Sequence, residues 1–183
     1  MCLIFDRYYD YSTKSVTPGS RATGVSRVHH LQVDSTLPAQ KILPVSSQKK
    51  KQLMQLIVDD LVHDKKFHED NTQHHKLVVT WEDPVPIEMS EGEVVISRAD
   101  LATSHEEADN ITVQQVFSCD TENAESKITI ISNDTNVFVL LLHYYHMANL
   151  EKIVLMEFSI KGRTVVQIGK TVQNHSEIVE GIH

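Results

Sequence analysis

From residue 76 onward, short β-branched runs alternate with segments of helical periodicity, and this alternation constrains the fold more than any other feature. The run Lys127–Ser132 is the strongest strand signal, because it is continuous and rich in isoleucine. Runs of this kind are typical of parallel sheets that are covered on both faces. The pattern therefore predicts a single α/β domain over residues 1–183, with three layers and a mostly parallel central sheet.

The same periodicities place the other elements. Strands are predicted at 2–5, 76–80, 94–97, 153–156 and 164–166, and helices at 49–62, 104–117, 137–147 and from 169 to the end. The apolar face of the first helix is predicted at residues 53, 56, 57 and 61. Ser104 and Glu107 have the spacing of a capping box at the start of the second helix. Residues 7–45 show no period, which predicts a long irregular loop.

Composition excludes several classes of protein. The chain has 17 Lys and Arg against 25 Asp and Glu, a formal net charge of −8, which argues against a basic protein that coats duplex nucleic acid. The longest apolar run, Val137–Leu142, is far too short to span a bilayer, and we expect no membrane partner. Cys2 and Cys119 cannot form a disulfide framework. With no secretory signal at the start of the sequence, we expect an intracellular protein, nuclear or cytoplasmic.

Acidic residues follow the predicted strands and open a predicted helix. Asp6 ends the first strand, and Asp134 comes two residues after the 127–132 strand. Glu107 and Asp109 lie in the first turn of the predicted 104–117 helix. Function in open α/β sheets lies at the carboxyl edge of the strands, and acids gathered there are typical ligands of Mg²⁺. Two such ions about 4 Å apart can activate a water for phosphodiester hydrolysis.

Structural explanations of the same residues stay open at this point. Glu107 and Asp109 also suit a helix N-terminus, Asp134 suits a turn, and Asp6 suits a solvated strand end. Cys2 is expected to be a small core hydrophobe, and Cys119 has no C-x-x-C partner and no obvious base nearby in the sequence. His143 and His146 have a spacing that zinc accepts, but no further ligand lies nearby, which favours a packing role.

Two blocks of the sequence carry a family resemblance. They are Glu107-Ala108-Asp109 and the later stretch Ile130-Ile131-Ser132-Asn133-Asp134-Thr135-Asn136-Val137-Phe138. These blocks resemble the acidic core of PIN-like nucleases of the flap-endonuclease type, in which E-A-D or E-A-E on a helix precedes a strand that ends in D-x-D. Leu3-Ile4-Phe5-Asp6 resembles the V-F-D strand end of those enzymes. Most of the chain, and the block 128–145 above all, also resembles uncharacterised animal proteins of suspected mobile-element origin that carry a PIN-like domain.

This resemblance implies a PIN-like, Rossmann-like domain of the three-layer form predicted above, incomplete within residues 1–183. It implies that residues 7–45 are an insertion or an arch-like loop over the substrate. It also assigns the catalytic and metal-binding residues, which are Asp6, Glu107, Asp109 and Asp134.

Three positions depart from the family pattern. Asn136 stands where the second aspartate of D-x-D is expected, and Asn133 and Gln167 also replace acids of the related proteins. An amide oxygen can bind a cation but cannot neutralise it. The loss of carboxylates weakens the binding of a second ion most, because that ion binds against the repulsion of the first. We therefore expect a divalent-metal-dependent nuclease that is weakened or inactive, with weak or single-site binding of Mg²⁺ or Mn²⁺.

The expected partner is nucleic acid, DNA rather than RNA, and the sequence names no protein partner. Two alternatives stay open. The first is a non-catalytic α/β protein-interaction module, such as a domesticated mobile-element fragment. The second is a fragment that does not fold stably alone.

Overall fold

The computed structural model of this chain describes residues 1–8, 47–72, 75–90, 94–120, 127–159, 162–177 and 181. The chain divides into two compact units, Met1–Ala108 and Asp109–His183, and each has its own small sheet and apolar core. The predicted loop 7–45 lies, beyond Tyr8, outside the described residues. Across the described ranges, no helix is both long enough and apolar enough to cross a bilayer.

The first unit combines helices with a sheet of four described strands. Its elements are β1 (Cys2–Ile4), α1 (Ser47–His63), α2 (Lys65–Asn71), β2 (Leu77–Thr80), β3 (Ile87–Ser90), β4 (Val94–Ser97) and a 3₁₀ turn (Ala99–Leu101). The strand order is β1-β2-β3-β4. β1 runs parallel to β2, with Leu3 opposite Val79, whereas β2–β3 and β3–β4 are antiparallel.

The core of the first unit forms where α1 meets the inner strands. Val58 of α1 clusters with Leu77 and Val79 of β2 and with Met89 of β3. All four residues of β2 are buried, as expected for an inner strand. β1 is confirmed as a strand, but Cys2 is exposed, so its predicted core role is wrong. The reason is that β1 lies at one end of the strand order.

The buried face of α1 differs from the predicted one. Met54 and Val58 are the buried residues of the helix, four positions apart, while Ile57 is exposed. Leu61 packs partly against the core. A shift of one residue turns a helical stripe by about 100°, so a stripe read from hydropathy is easily displaced.

β3 has no counterpart among the predicted strands, because Glu88 interrupts its apolar run. The structure accommodates this buried carboxylate with two cations. Arg98 Nη1 donates to Glu88 Oε2 at 2.5 Å, and Lys76 Nζ lies 2.9 Å from Oε1. Burial by itself raises the pKa of Glu88, but the hydrogen bonds from Lys76 and Arg98 outweigh burial and hold the pKa below its ordinary value.

The second unit contains a sheet of three described strands. Its elements are α3 (Ala108–Asp120, whose first residue closes the first unit), β5 (Ile128–Ile131), α4 (Thr135–Met147), β6 (Val154–Phe158), β7 (Thr164–Gln167) and α5 (Ile168–Asn174). The strand order is β5-β6-β7. β5 and β6 are parallel, with Ile130 opposite Met156, and β6 and β7 are antiparallel.

The core of the second unit lies on one side of its sheet. Ile130, Met156 and Ile168 are buried in a cluster that includes apolar residues of all three helices. Ile131, the neighbour of Ile130 on β5, is 69% exposed. Alternation of this kind marks a strand with one buried face. The prediction that this strand is covered on both faces is therefore wrong.

The predicted α/β class is confirmed, because each unit combines helices with a sheet. The prediction of a mostly parallel sheet is wrong for the strand pairs that the structure describes, of which two are parallel and three antiparallel. The antiparallel pairs arise because only a few residues separate β2 from β3, β3 from β4 and β6 from β7, and a short connection can only return the chain antiparallel. The three-layer PIN-like form stays a prediction, as does the single domain.

Gly169 of α5 lies against the ring of Tyr145. A Cβ at this position would come within 2.6 Å of Tyr145 Oη and 2.9 Å of Cζ. Tyr145 cannot swing away freely, because its hydroxyl donates to the carbonyl of Lys152 at 2.9 Å. The close approach of α4 and α5 therefore needs a residue without a side chain at 169.

We expect Glu88→Gln to lower the free energy of unfolding by about 1–3 kcal/mol near neutral pH, since Arg98 keeps an acceptor but loses its buried counter-charge. The folded-state pKa of Glu88 is lowered, so its contribution is full above the ordinary carboxyl pKa and is lost as the pH falls through the folded value. Urea unfolding of wild type and variant over a pH series measures the difference. The exposed Glu69→Gln is the control, and a gap that does not close in acid contradicts the assignment.

We expect Gly169→Ala to destabilise the protein by about 1–3 kcal/mol through the clash with Tyr145. The sign is diagnostic, because glycine to alanine inside a helix ordinarily stabilises by up to about 1 kcal/mol. Thermal unfolding measures it, with Lys170→Ala, the exposed neighbour, as the matched control. A rise in the melting temperature of Gly169→Ala would show that the contact is not restrictive.

Candidate functional site

Asp6 lies two residues after the end of β1 and accepts a hydrogen bond from the first residue of α3. The ladder between β1 and β2 continues through Phe5, whose N–H donates to the Thr80 carbonyl at 3.0 Å. Asp6 Oδ1 then accepts from the Ala108 N–H at 2.9 Å. The first N–H groups of a helix have no partner inside the helix, so this carboxylate caps α3 from a distant part of the chain.

Arg7 fixes the position of this strand end. Its side chain is completely buried, and its guanidinium donates only to main-chain carbonyls in the described contacts. The acceptors are Trp81 at 2.6 Å, Asp83 at 2.8 Å, Thr103 at 2.5 Å and His105 at 3.0 Å. The Arg7 N–H also donates to the Glu106 carbonyl at 2.8 Å. The two segments 81–83 and 103–106 are thereby held against the end of β1.

Glu107 precedes α3 by one residue, so it is not in the first helical turn as predicted. The predicted capping box is also wrong, because the helix begins at Ala108 rather than near Ser104. Asp6 takes the capping role that a local side chain was expected to fill. Ala108 is bonded to Asp6 and follows Glu107 in the chain, so the backbone next to Glu107 lies beside Asp6 in the first unit.

Two residues beside Asp6 were not singled out from the sequence. Tyr8 Oη donates to Asp6 Oδ2 at 3.4 Å, and Lys50 Nζ donates to Tyr8 Oη at 3.2 Å. Lys50 also lies over the Tyr8 ring, 4.9 Å from its centroid. The tyrosine-rich run after Asp6 and the triple lysine 49–51 were the available signals, but the contact joins positions 42 apart in the chain.

Asp109 and Asp134 belong to the second unit, and each has a local hydrogen bond. Asp109 is the second residue of α3, and its Oδ1 accepts from the Asn110 N–H at 2.8 Å. Asp134 caps α4, and its Oδ1 accepts from the Asn136 N–H at 2.8 Å. Both positions suit the structural roles left open by the sequence, since acids at helix N-termini are stabilising.

Asn133, which replaces an acid in the family pattern, links the ends of β5 and β6. Its Oδ1 accepts from the Ser159 N–H at 2.8 Å, and its Nδ2 donates to Ser159 Oγ at 3.4 Å. An aspartate could accept the first bond but could not donate the second. The amide therefore has a structural use of its own at this strand end.

The described residues contain no group of three His, Cys, Asp or Glu side chains that could hold a metal ion. Asp6 and Glu107 are the two predicted ligands that belong to the first unit. His143 packs edge-on against the ring of Tyr144, at 5.1 Å between centroids, which supports the packing interpretation of this histidine.

Comparison with known proteins gives no relative for this chain: no family model, no curated protein and no solved structure matches it.

We expect Arg7→Leu to destabilise the first unit by about 3 kcal/mol or more, because it leaves several buried carbonyls without a donor. Arg7→Lys is expected to recover only part of the lost stability, since the single nitrogen of an ammonium cannot reach all the carbonyls that are arranged around the planar guanidinium. Urea unfolding measures both, with Lys66→Leu, at an exposed lysine of α2, as control. Equal stability of Arg7→Leu and Lys66→Leu would contradict the clamp.

Proposed function

We propose that the chain is a PIN-like, flap-endonuclease-type domain, a metal-dependent hydrolase of phosphodiester bonds that is weakened or inactive. The observation that carries the proposal is the hydrogen bond from Ala108 to Asp6. It brings the acid of the Leu3-Ile4-Phe5-Asp6 strand end to the middle residue of Glu107-Ala108-Asp109, and these are two of the acidic motifs on which the resemblance depends.

Asp6 and Glu107 are the proposed ligands for one divalent ion, Mg²⁺ or Mn²⁺. A hard cation commonly takes one or two carboxylates and keeps its remaining waters, so two carboxylates are sufficient for weak binding. Asp109 and Asp134, which the resemblance also assigns as ligands, lie in the second unit, and their role stays a prediction. One ion held there would supply the activation of a water, but the stabilisation of the leaving oxygen that a second ion supplies in two-metal enzymes would be missing.

The low count of carboxylates supports the weakened form of the activity. Asn136 and Gln167 bring no negative charge to the positions where the family has acids. Asn133 is engaged with Ser159 through both ends of its amide. Each substitution removes attraction for the second dication, whose binding must overcome the charge of the first. The proposed substrate is DNA rather than RNA.

We expect calorimetric titration with Mn²⁺ to show weak binding at one site that Asp6→Asn reduces by about tenfold or more, because one negative charge beside the ion is lost. Asparagine is preferred to alanine here, since its amide oxygen still caps α3 and keeps the fold. Asp60→Asn, on the exposed face of α1, is the control. Failure of wild type to bind Mn²⁺ would overturn the metal-dependent function.

A labelled flap-DNA substrate tests the activity itself, with Asp134→Asn as the variant because asparagine preserves the cap of α4. We expect slow cleavage or none by wild type. If wild type cleaves at rates typical of enzymes, and Asp134→Asn abolishes that cleavage, the protein is an intact nuclease and the proposal of a weakened activity is overturned.

A non-catalytic α/β interaction module is the second candidate, favoured by the exposed apolar side chains on the sheet of the second unit. Ile131 and Val165 are exposed at neighbouring register positions on either side of Glu157. Exposed apolar groups that share a sheet face are typical of protein contacts. A folded wild type that binds no Mn²⁺, while Ile131→Lys raises its solubility, would favour this candidate over the nuclease.

A further inference from the structure

The charge of Lys50 is held beside Asp6 by an aromatic ring. Its Nζ donates to Tyr8 Oη at 3.2 Å, and Tyr8 Oη donates to Asp6 Oδ2 at 3.4 Å. These two contacts put the ammonium nitrogen within about 7 Å of a carboxylate oxygen of Asp6, a range over which charges interact appreciably in a partly buried site. The face of the Tyr8 ring, 4.9 Å from Nζ, attracts the cation further.

Tyr8 is itself anchored, so the ammonium has a defined position. The Tyr8 N–H contacts Glu82 Oε2 at 3.5 Å, and Glu82 Oε1 pairs with Lys51 Nζ at 2.9 Å. Lys50 and Lys51 thus have different partners although they are adjacent on α1. Lys51 pairs with a carboxylate, whereas the described bonds of Lys50 end on a neutral hydroxyl that is joined to Asp6. The positive charge of Lys50 is therefore directed to the acidic site.

We propose that Lys50 is a positioning residue, a fixed positive charge that acts on Asp6 through Tyr8 and takes the place of a second divalent ion. This inference rests on the proposed function, since it concerns the ion that Asp6 and Glu107 hold there. A site with few carboxylates cannot neutralise two dications. One dication and one ammonium together carry less positive charge than two dications, so fewer carboxylates can balance them. The ammonium also repels any further cation, so the site is restricted to a single ion.

The sign of one measurement separates this role from a structural one. Lys50→Met keeps the length of the side chain and removes its charge, so we expect Mn²⁺ to bind at least about fivefold more tightly than to wild type, as judged by calorimetry. Damage to the fold would weaken binding instead. Tyr8→Phe removes the hydroxyl between Lys50 and Asp6 and is expected to tighten binding in the same direction. Lys50→Arg keeps the charge, and its affinity for Mn²⁺ is expected to stay near that of wild type.

Lys66→Met, an exposed lysine of α2, is the matched control for the general effect of removing a positive charge. If wild type binds Mn²⁺, but Lys50→Met binds it no more tightly than Lys66→Met does, the inference is overturned and the proposed function stands. Absence of Mn²⁺ binding in wild type and in both Lys50 variants overturns the proposed function and the inference with it. Circular dichroism of each variant confirms that the proteins compared are folded.

Discussion

The buried guanidinium of Arg7 is the interaction on which the architecture of the first unit depends. A charged group without contact with water is costly unless it is hydrogen-bonded, and here four main-chain carbonyls accept hydrogen bonds from the guanidinium. Those carbonyls come from two segments that are remote from Arg7 in the chain. The end of β1 and both segments must therefore fold together, and the position of Asp6 beside Ala108 follows from this arrangement.

The acids that attract attention in the sequence turn out to have structural uses. Asp6 caps α3 from another strand, and Asp134 caps α4 from within its own turn. A capping carboxylate still has lone pairs for a metal ion, so capping and ligation are compatible. What separates the two uses is charge, because an amide can cap a helix but cannot neutralise a cation. The substitutions proposed above exploit this difference.

Local signals predicted most of the regular structure and failed where a distant contact decides. The isoleucine-rich composition of β5 favours a strand and the apolar run of α4 favours a helix, and both elements were predicted. β3 was missed because Glu88 is tolerated only through Arg98 and Lys76, whose positions the sequence pattern does not reveal. The start of α3 was placed too early, because the local capping box competes with a cap supplied by Asp6.

By itself, the sequence determined the α/β class, most strand and helix locations, and the placing of acids at strand ends and helix starts, since these depend on neighbours within a few residues. Tertiary structure alone decided which acid meets which helix and which lysine meets which acid. Asp6 and Ala108 are 102 positions apart, and Lys50 and Tyr8 are 42 apart. Contacts over such separations arise from the packing of whole elements, which no local pattern of side chains encodes.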